Sequence, residues 1–195
     1  MERKNIRILV ECAIMVSLAT VLSMIKVYEA PLGGSVTLLS MLPIIVISFR
    51  WGVPAGVGSA FVYSVIQLLF GLNTFAYVVT PAGIIGAILL DYIVPFTVLG
   101  LAGIFYKSGV DRKKALISIF AGTFLVLLLR FISHVIIGGV VWYEITKQNN
   151  WNDYVHQYSK WIYSLLYNIT YMGPEAALTL LASPIILKLK DLFKH

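Results

Sequence analysis

Long apolar stretches separated by short polar ones occupy almost the whole chain, over roughly 6–26, 36–50, 53–71, 77–106, 114–142 and 160–188. About 20 apolar residues carry a helix across the hydrocarbon core of a bilayer, so the pattern predicts six membrane-spanning helices. The second stretch is short, and the fourth is long enough to hold a re-entrant or loop portion near Thr80-Pro81-Ala82-Gly83. Pro43, Pro54, Pro81, Pro95, Pro174 and Pro184 lie in or near spans and mark starts, kinks or freed carbonyls. Gly33-Gly34 fits a turn closing the first loop.

The polar exceptions inside the last two stretches carry the functional signal. Arg130, His134, Gly138 and Trp142 recur every four residues, which on a helix makes one slowly drifting stripe. The last stretch holds Trp161, Tyr163, Asn168, Tyr171 and Glu175, of which Asn168, Tyr171 and Glu175 share a face. An ionisable group at membrane depth is costly and faces a cavity or a partner rather than lipid. Aromatic stripes on their own also suit core packing or an interfacial belt. Beside His134 and Asn168 they suit a flat, polar, heteroaromatic ligand, because rings offer stacking faces and cation–π attraction while imidazole and amide read ring nitrogens. Gly138 leaves room either for a ring or for a close helix contact.

Composition agrees with the pattern. Of 195 residues, 59% are hydrophobic and 12% charged, whereas a soluble domain is about one quarter charged. The expectation is a single all-α integral membrane domain over residues 1–195, with no second soluble domain. Cys12 is the one cysteine and forms no internal disulfide. The net charge of +6 does not indicate nucleic acid, because most of the basic residues sit at the ends of apolar stretches. Arg3, Lys4, Arg7, Arg50, Lys107, Arg112, Lys113, Lys114, Lys188, Lys190 and Lys194 fall on one side, and only Lys26, Lys147 and Lys160 on the other. The positive-inside rule then places both termini in the cytoplasm. The 143–160 segment becomes the longest external loop, rich in aromatics and amides, serving as an interfacial belt, a lid over an outward-facing site, or both.

Three carboxylates lie within the predicted spans. Glu11 is four residues from Arg7 and forms a helix pair with it. Asp91, in Leu90-Asp91-Tyr92, has no nearby basic residue in sequence, so either Arg130 or a cationic ligand is its partner. Glu175 joins the helix-6 face. Ala13 with Ser17 and Ala19 with Ser23 form small-xxx-small pairs on helix 1, suited to internal packing or to an incoming helix. No phosphate loop, zinc spacing or nucleophile elbow is present, so no catalytic residue, metal site or cofactor is expected. A transporter without its own ATPase uses an ion gradient or a partner's motor.

These residues resemble a known family, the thiamin-specific S-components (substrate-binding subunits) of energy-coupling factor (ECF) transporters. The resemblance spans nearly the whole chain and rests on Glu11-Cys-Ala-Ile-Met-Val-Ser-Leu-Ala19, Gly33-Gly34-Ser-Val-Thr-Leu-Leu-Ser-Met-Leu-Pro43 and Leu90-Asp91-Tyr92. It rests most on Arg130-xxx-His134-xxx-Gly138-xxx-Trp142 and on Trp161-x-Tyr163 through Asn168 and Tyr171 to Glu175. It implies a multi-pass subunit in the plasma membrane of a prokaryote that captures thiamin from outside. Such a subunit docks on a membrane scaffold subunit with two cytoplasmic ATPases, through small residues such as Ala13, Ser17, Ala19 and Ser23.

In that family, residues matching His134, Gly138, Trp142, Tyr163 and Asn168 line the pocket. By the same resemblance Trp142 stacks on a ligand ring, while His134 and Asn168 hydrogen-bond the aminopyrimidine. Asp91 and Tyr92 contribute from helix 4, Arg130 stands where a basic residue is familiar, and Tyr28 and Glu29 are the first-loop candidates. The 72–90 segment departs from the family's His-Pro-x-Gln type sequence, and the loop after Trp142 is longer. A related pyrimidine or thiazole therefore stays open as ligand, as does a stand-alone ion-coupled transporter using Asp91, His134 and Glu175 as a relay. An intramembrane enzyme using His134 and the carboxylates as acid–base groups is the third reading.

Overall fold

The computed structural model describes residues 2–30 and 33–192. It begins with α1 (Glu2–Met24), a run free of Gly and Pro. A two-stranded antiparallel hairpin follows, β1 (Lys26–Glu29) and β2 (Ser35–Thr37), with Lys26 opposite Thr37 and Glu29 opposite Ser35. Gly33 and Gly34 turn the chain at φ +96° and +88°, a region L side chains rarely adopt. This is the turn expected there, but its flanking strands were not foreseen, and they displace the start of the second predicted span. Residues 36–41 are strand and turn, and helix α2 begins only at Leu42 (Leu42–Trp51), with Pro43 in its first turn.

At 1.5 Å per residue α2 is about 15 Å long, roughly half the hydrocarbon thickness. Every residue from Pro43 to Phe49 is buried. A helix that is apolar all round belongs inside a bundle, and α2 is its centre, packed by α1, by α3 (Val53–Phe70) and by α4 (Pro81–Phe105). Ser48 Oγ donates to Gly100 O at 2.5 Å and accepts from Gly103 N–H at 2.8 Å, tying α2 to α4.

Helix α4 starts at Pro81, later than the predicted 77. Thr80 caps it by accepting from Gly83 N–H at 3.1 Å, and residues 72–77 form a separate short 3₁₀ turn. Thr80-Pro81-Ala82-Gly83 is therefore a helix start and not a re-entrant loop. Helix α5 (Arg112–Gln148) is capped by Asp111 and runs six residues beyond the predicted end, into the loop expected outside. Helix α6 (Lys160–Ala182) ends before Ser183-Pro184, and α7 (Ile185–Leu192) follows.

Among the described residues, five helical stretches are long and apolar enough to cross a membrane, namely Arg3–Met24, α3, α4, α5 and Lys160–Leu189, with α2 as a shorter apolar helix. Their outer faces are apolar, with Leu9, Phe61, Phe124 and Leu181 exposed. The result is a mostly helical, multi-pass membrane architecture.

Glu11 pairs with Arg7 at 3.0 Å as expected, and it also joins α1 to α2. Arg50 donates to both its oxygens, at 2.5 and 2.8 Å, and Trp51 Nε1 donates at 2.9 Å. Such a forked contact is stronger than a lone helix pair. The four small residues of α1 do not share one face. Ala13 and Ser17 are exposed, whereas Ala19 is fully buried in the core and Ser23 accepts a hydrogen bond from Gln67 at 2.9 Å. Six residues turn an α-helix by about 600°, so the second pair points inward and only Ala13 and Ser17 are available to a docking helix.

Candidate ligand-binding site

A cavity of about 730 Å³ lies between the hairpin and one end of α3, α4, α5 and α6. Two of these helices leave regular geometry beside it. Helix α4 widens to π pitch over Ile88–Ile93, and α5 does so over Gly138–Trp142. A four-residue repeat drifts by about 40° per step on a 3.6-residue helix. The wider turn in α5 offsets that drift and keeps Trp142 on the cavity side with Arg130, His134 and Gly138. Widened turns of this kind recur at functional sites.

The two π turns bring Asp91 and Trp142 together. Trp142 Nε1 donates to Asp91 Oδ2 at 2.7 Å, and His134 Nδ1 lies 3.1 Å from Asp91 Oδ1. An ionised carboxylate only accepts, so Nδ1 carries the proton, and in the neutral imidazole Nε2 is left as an acceptor. That Nε2 is buried and has no protein partner. Asp91 is therefore partnered by His134 and Trp142, and not by Arg130. Arg130 donates from Nη1 to Met41 Sδ at 2.7 Å and stacks over the Phe96 ring at 4.3 Å. Its buried Nε is unpartnered. Tyr63 and Tyr163 also line the cavity, with their hydroxyls buried. Buried polar groups are normally satisfied, so the unpartnered Arg130 and His134 nitrogens beside the cavity suit a polar occupant.

Asn168 is held in place before any ligand arrives. Its Nδ2 donates to Ser164 O at 2.8 Å and to His134 O at 3.4 Å, and its Oδ1 accepts from Tyr171 OH at 2.5 Å. Gly138 is required here, because a methyl group on it would collide with Ser164 Oγ. Tyr92 lines the cavity, packed on Phe75 at 5.8 Å. Glu29 is at the rim, ion-paired with Lys26 at 2.6 Å.

Glu175 and Tyr171 reach the wall, but their polar atoms are engaged by the protein. Glu175 accepts from Thr37 N–H at 2.5 Å and from Thr37 Oγ1 at 2.7 Å. Trp161 does not line the cavity. It sits in the first turn of α6, 46% exposed, its ring packed where Gly139 has no side chain and covered by Lys160 at 5.2 Å.

Several wall residues were missed in the sequence, among them Thr37, Ser40, Tyr63, Gln67 and Trp151. Tyr63 and Gln67 are a readable polar pair four apart in an apolar span. Thr37 and Ser40 carried no signal, because they lie in a stretch read as helix. Trp151 comes from the aromatic segment after α5 and packs edge-on against Tyr77 at 5.0 Å, closing part of the wall. Among the described residues no group of three His, Cys, Asp or Glu side chains is placed to hold a metal ion.

Comparison with known proteins places this geometry in context. The Thiamine transporter ThiT of Bacillus subtilis (strain 168) is 36% identical over 182 residues, covering 89% of this chain and 86% of that protein. A solved structure of ThiT from Listeria monocytogenes superposes with a TM-score of 0.68 at 24% identity, covering 98% of this chain and 96% of the other. The S component of a bacterial ECF transporter superposes at 0.63 and 16% identity, covering 98% and 99%. The sequence profile of the thiamine transporter protein family (Thia_YuaJ) matches residues 9–194, and the chain belongs to that family.

Proposed function

We propose that the chain is the thiamin-binding S-component of an ATP-driven ECF uptake system in a prokaryotic plasma membrane. It loads vitamin from outside and passes it inward only when docked on a scaffold subunit carrying two ATPases. In this reading it is a single six-helix domain, with α2 as the short sixth helix and both termini cytoplasmic. The observation that carries the proposal is the Asp91–His134–Trp142 constellation at the wall of a cavity also lined by Arg130, Tyr63 and Tyr163. Thiamin has one cationic ring and one neutral ring rich in hydrogen-bonding nitrogens. Asp91 supplies negative charge, Trp142 an aromatic face, and His134, Arg130, Tyr163 and Asn168 the polar contacts. Gly138 sets the spacing of the wall, with Tyr92 beside Asp91 and Glu29 at the rim.

A proton relay through Asp91, His134 and Glu175 is less well supported. Asp91 and His134 touch, but Glu175 is tied to Thr37. Trp142→Ala and His134→Ala are each expected to weaken thiamin binding by about tenfold or more, read by tryptophan fluorescence titration of the purified chain. Unchanged affinity in both variants rejects the site.

A further inference from the structure

The residues of α6 that meet the hairpin repeat every four positions. Tyr167 OH donates to Gly33 O at 2.8 Å, the Tyr171 ring lies where Gly34 would carry a side chain, and Glu175 takes Thr37. The last of these contacts is the strongest. Glu175 is 5% exposed, and each of its oxygens receives one donor from the same residue, the Thr37 amide and the Thr37 hydroxyl. A hydroxyl has one hydrogen, so Thr37 Oγ1 gives it to Glu175 and accepts in turn from Ser40 Oγ at 2.7 Å. The polar chain therefore runs Ser40, Thr37, Glu175, and it spans the step from β2 to α2. A buried carboxylate stripped of its donors is costly, so the pairing holds β2 firmly. On the other side, Tyr171 OH passes the same restraint to Asn168.

We propose that Glu175 is a positioning residue for ligand retention. It pins β2 against α6, and thereby fixes the wall of the cavity formed by Thr37, Tyr171 and Asn168, without itself contacting the ligand. Each oxygen already accepts one donor, and its partner is main chain as well as side chain, which suits a structural latch better than a counter-charge for a cation. Loss of the latch then acts mainly on escape of the ligand, because Asp91, His134 and Trp142 remain in place on α4 and α5 while the wall that retains the ligand loosens.

The test uses the full-length purified chain with Glu175→Gln, Thr37→Val and Thr37→Ser. Glu175→Gln keeps shape but exchanges an acceptor for a donor, Thr37→Val removes the hydroxyl that donates to Glu175 and accepts from Ser40, and Thr37→Ser restores it. Hydrogen exchange over residues 26–38 is expected to speed up in Glu175→Gln and Thr37→Val and to return to normal in Thr37→Ser, with the core of α2 unchanged. The Glu175→Gln, Thr37→Val double variant is expected to be no worse than Glu175→Gln alone. This arm needs no ligand and so stands apart from the thiamin reading, on which the second arm rests.

In that second arm the thiamin dissociation rate is expected to rise about tenfold, with the association rate within about twofold. A neutral aminopyrimidine fragment is expected to lose affinity by the same factor as the cation. Unaltered exchange over 26–38, or a loss confined to the cationic ligand, overturns the proposal. If Glu175→Gln does not fold, Thr37→Val, which keeps the backbone donor, decides the exchange arm.

Discussion

Asp91 holds two side chains at once, and each of its oxygens has its own donor. Replacing it with Asn leaves one oxygen and one NH2 group facing two N–H donors, so one of the two contacts turns repulsive unless His134 changes tautomer. The negative charge disappears as well. Asp91→Asn is therefore expected to lower affinity for a cationic thiamin by about tenfold to a hundredfold, and to affect a neutral pyrimidine less. Titrations of the two ligands compare the losses, and equal losses would show that the charge of Asp91 is not used. Arg130 is the complementary case. Its guanidinium rests on sulfur and an aromatic ring and not on a carboxylate, which leaves Nε to an acceptor from the cavity.

At the scale of elements, the two π turns matter more than the helices that contain them. They bring Asp91 and Trp142 into contact and let α5 approach α6 at Gly138. Gly138→Ala forces a methyl group against Ser164 and Asn168, and is expected to cost about 1–3 kcal/mol of stability together with ligand binding, both read by thermal unfolding with and without thiamin. An Ala variant with wild-type melting behaviour in both conditions contradicts this account of the helix contact.

The α5 stripe was legible in the sequence because its residues are rare in apolar spans and evenly spaced. The partner of Asp91 was not, since His134 lies 43 residues away and Arg130 is an equally plausible cation by composition. The hairpin was hidden for a related reason. Ser35-Val36-Thr37 lies next to an apolar run, and its decisive bond reaches 138 residues along the chain to Glu175. Trp161 shares the heptad spacing of Asn168 and Glu175, yet it sits at the helix end beyond the rim, where periodicity carries no information about depth.

For the whole molecule, the separation of the cavity from the exposed small residues of α1 is the main consequence. Ala13 and Ser17 are exposed on α1, outside the cavity wall. A bulky residue there, such as Ser17→Trp, is expected to leave thiamin affinity of the isolated chain within about twofold while abolishing ATP-driven uptake in vesicles holding the scaffold and ATPases. Uptake at the wild-type rate would remove this face from the docking surface. The equivalent change at Ala19 is expected to impair folding, because that side chain is in the core.

Helix α2 spans only about half of the hydrocarbon layer, and its ends have different neighbours. Met41, at its start, meets Arg130 below the cavity, while Arg50 and Trp51, at its end, meet Glu11 near the start of α1. The ligand chamber therefore occupies the depth that a full-length second helix would fill. In the outward-facing orientation proposed above, a monovalent cation bound at that depth would cross up to roughly half of the transmembrane voltage, and a 100 mV potential, negative inside, would contribute up to about 1 kcal/mol to loading. Binding measured in polarised vesicles is expected to tighten several-fold for thiamin and not at all for a neutral analogue. In that orientation the cell's electrical gradient would assist capture before any ATP is spent.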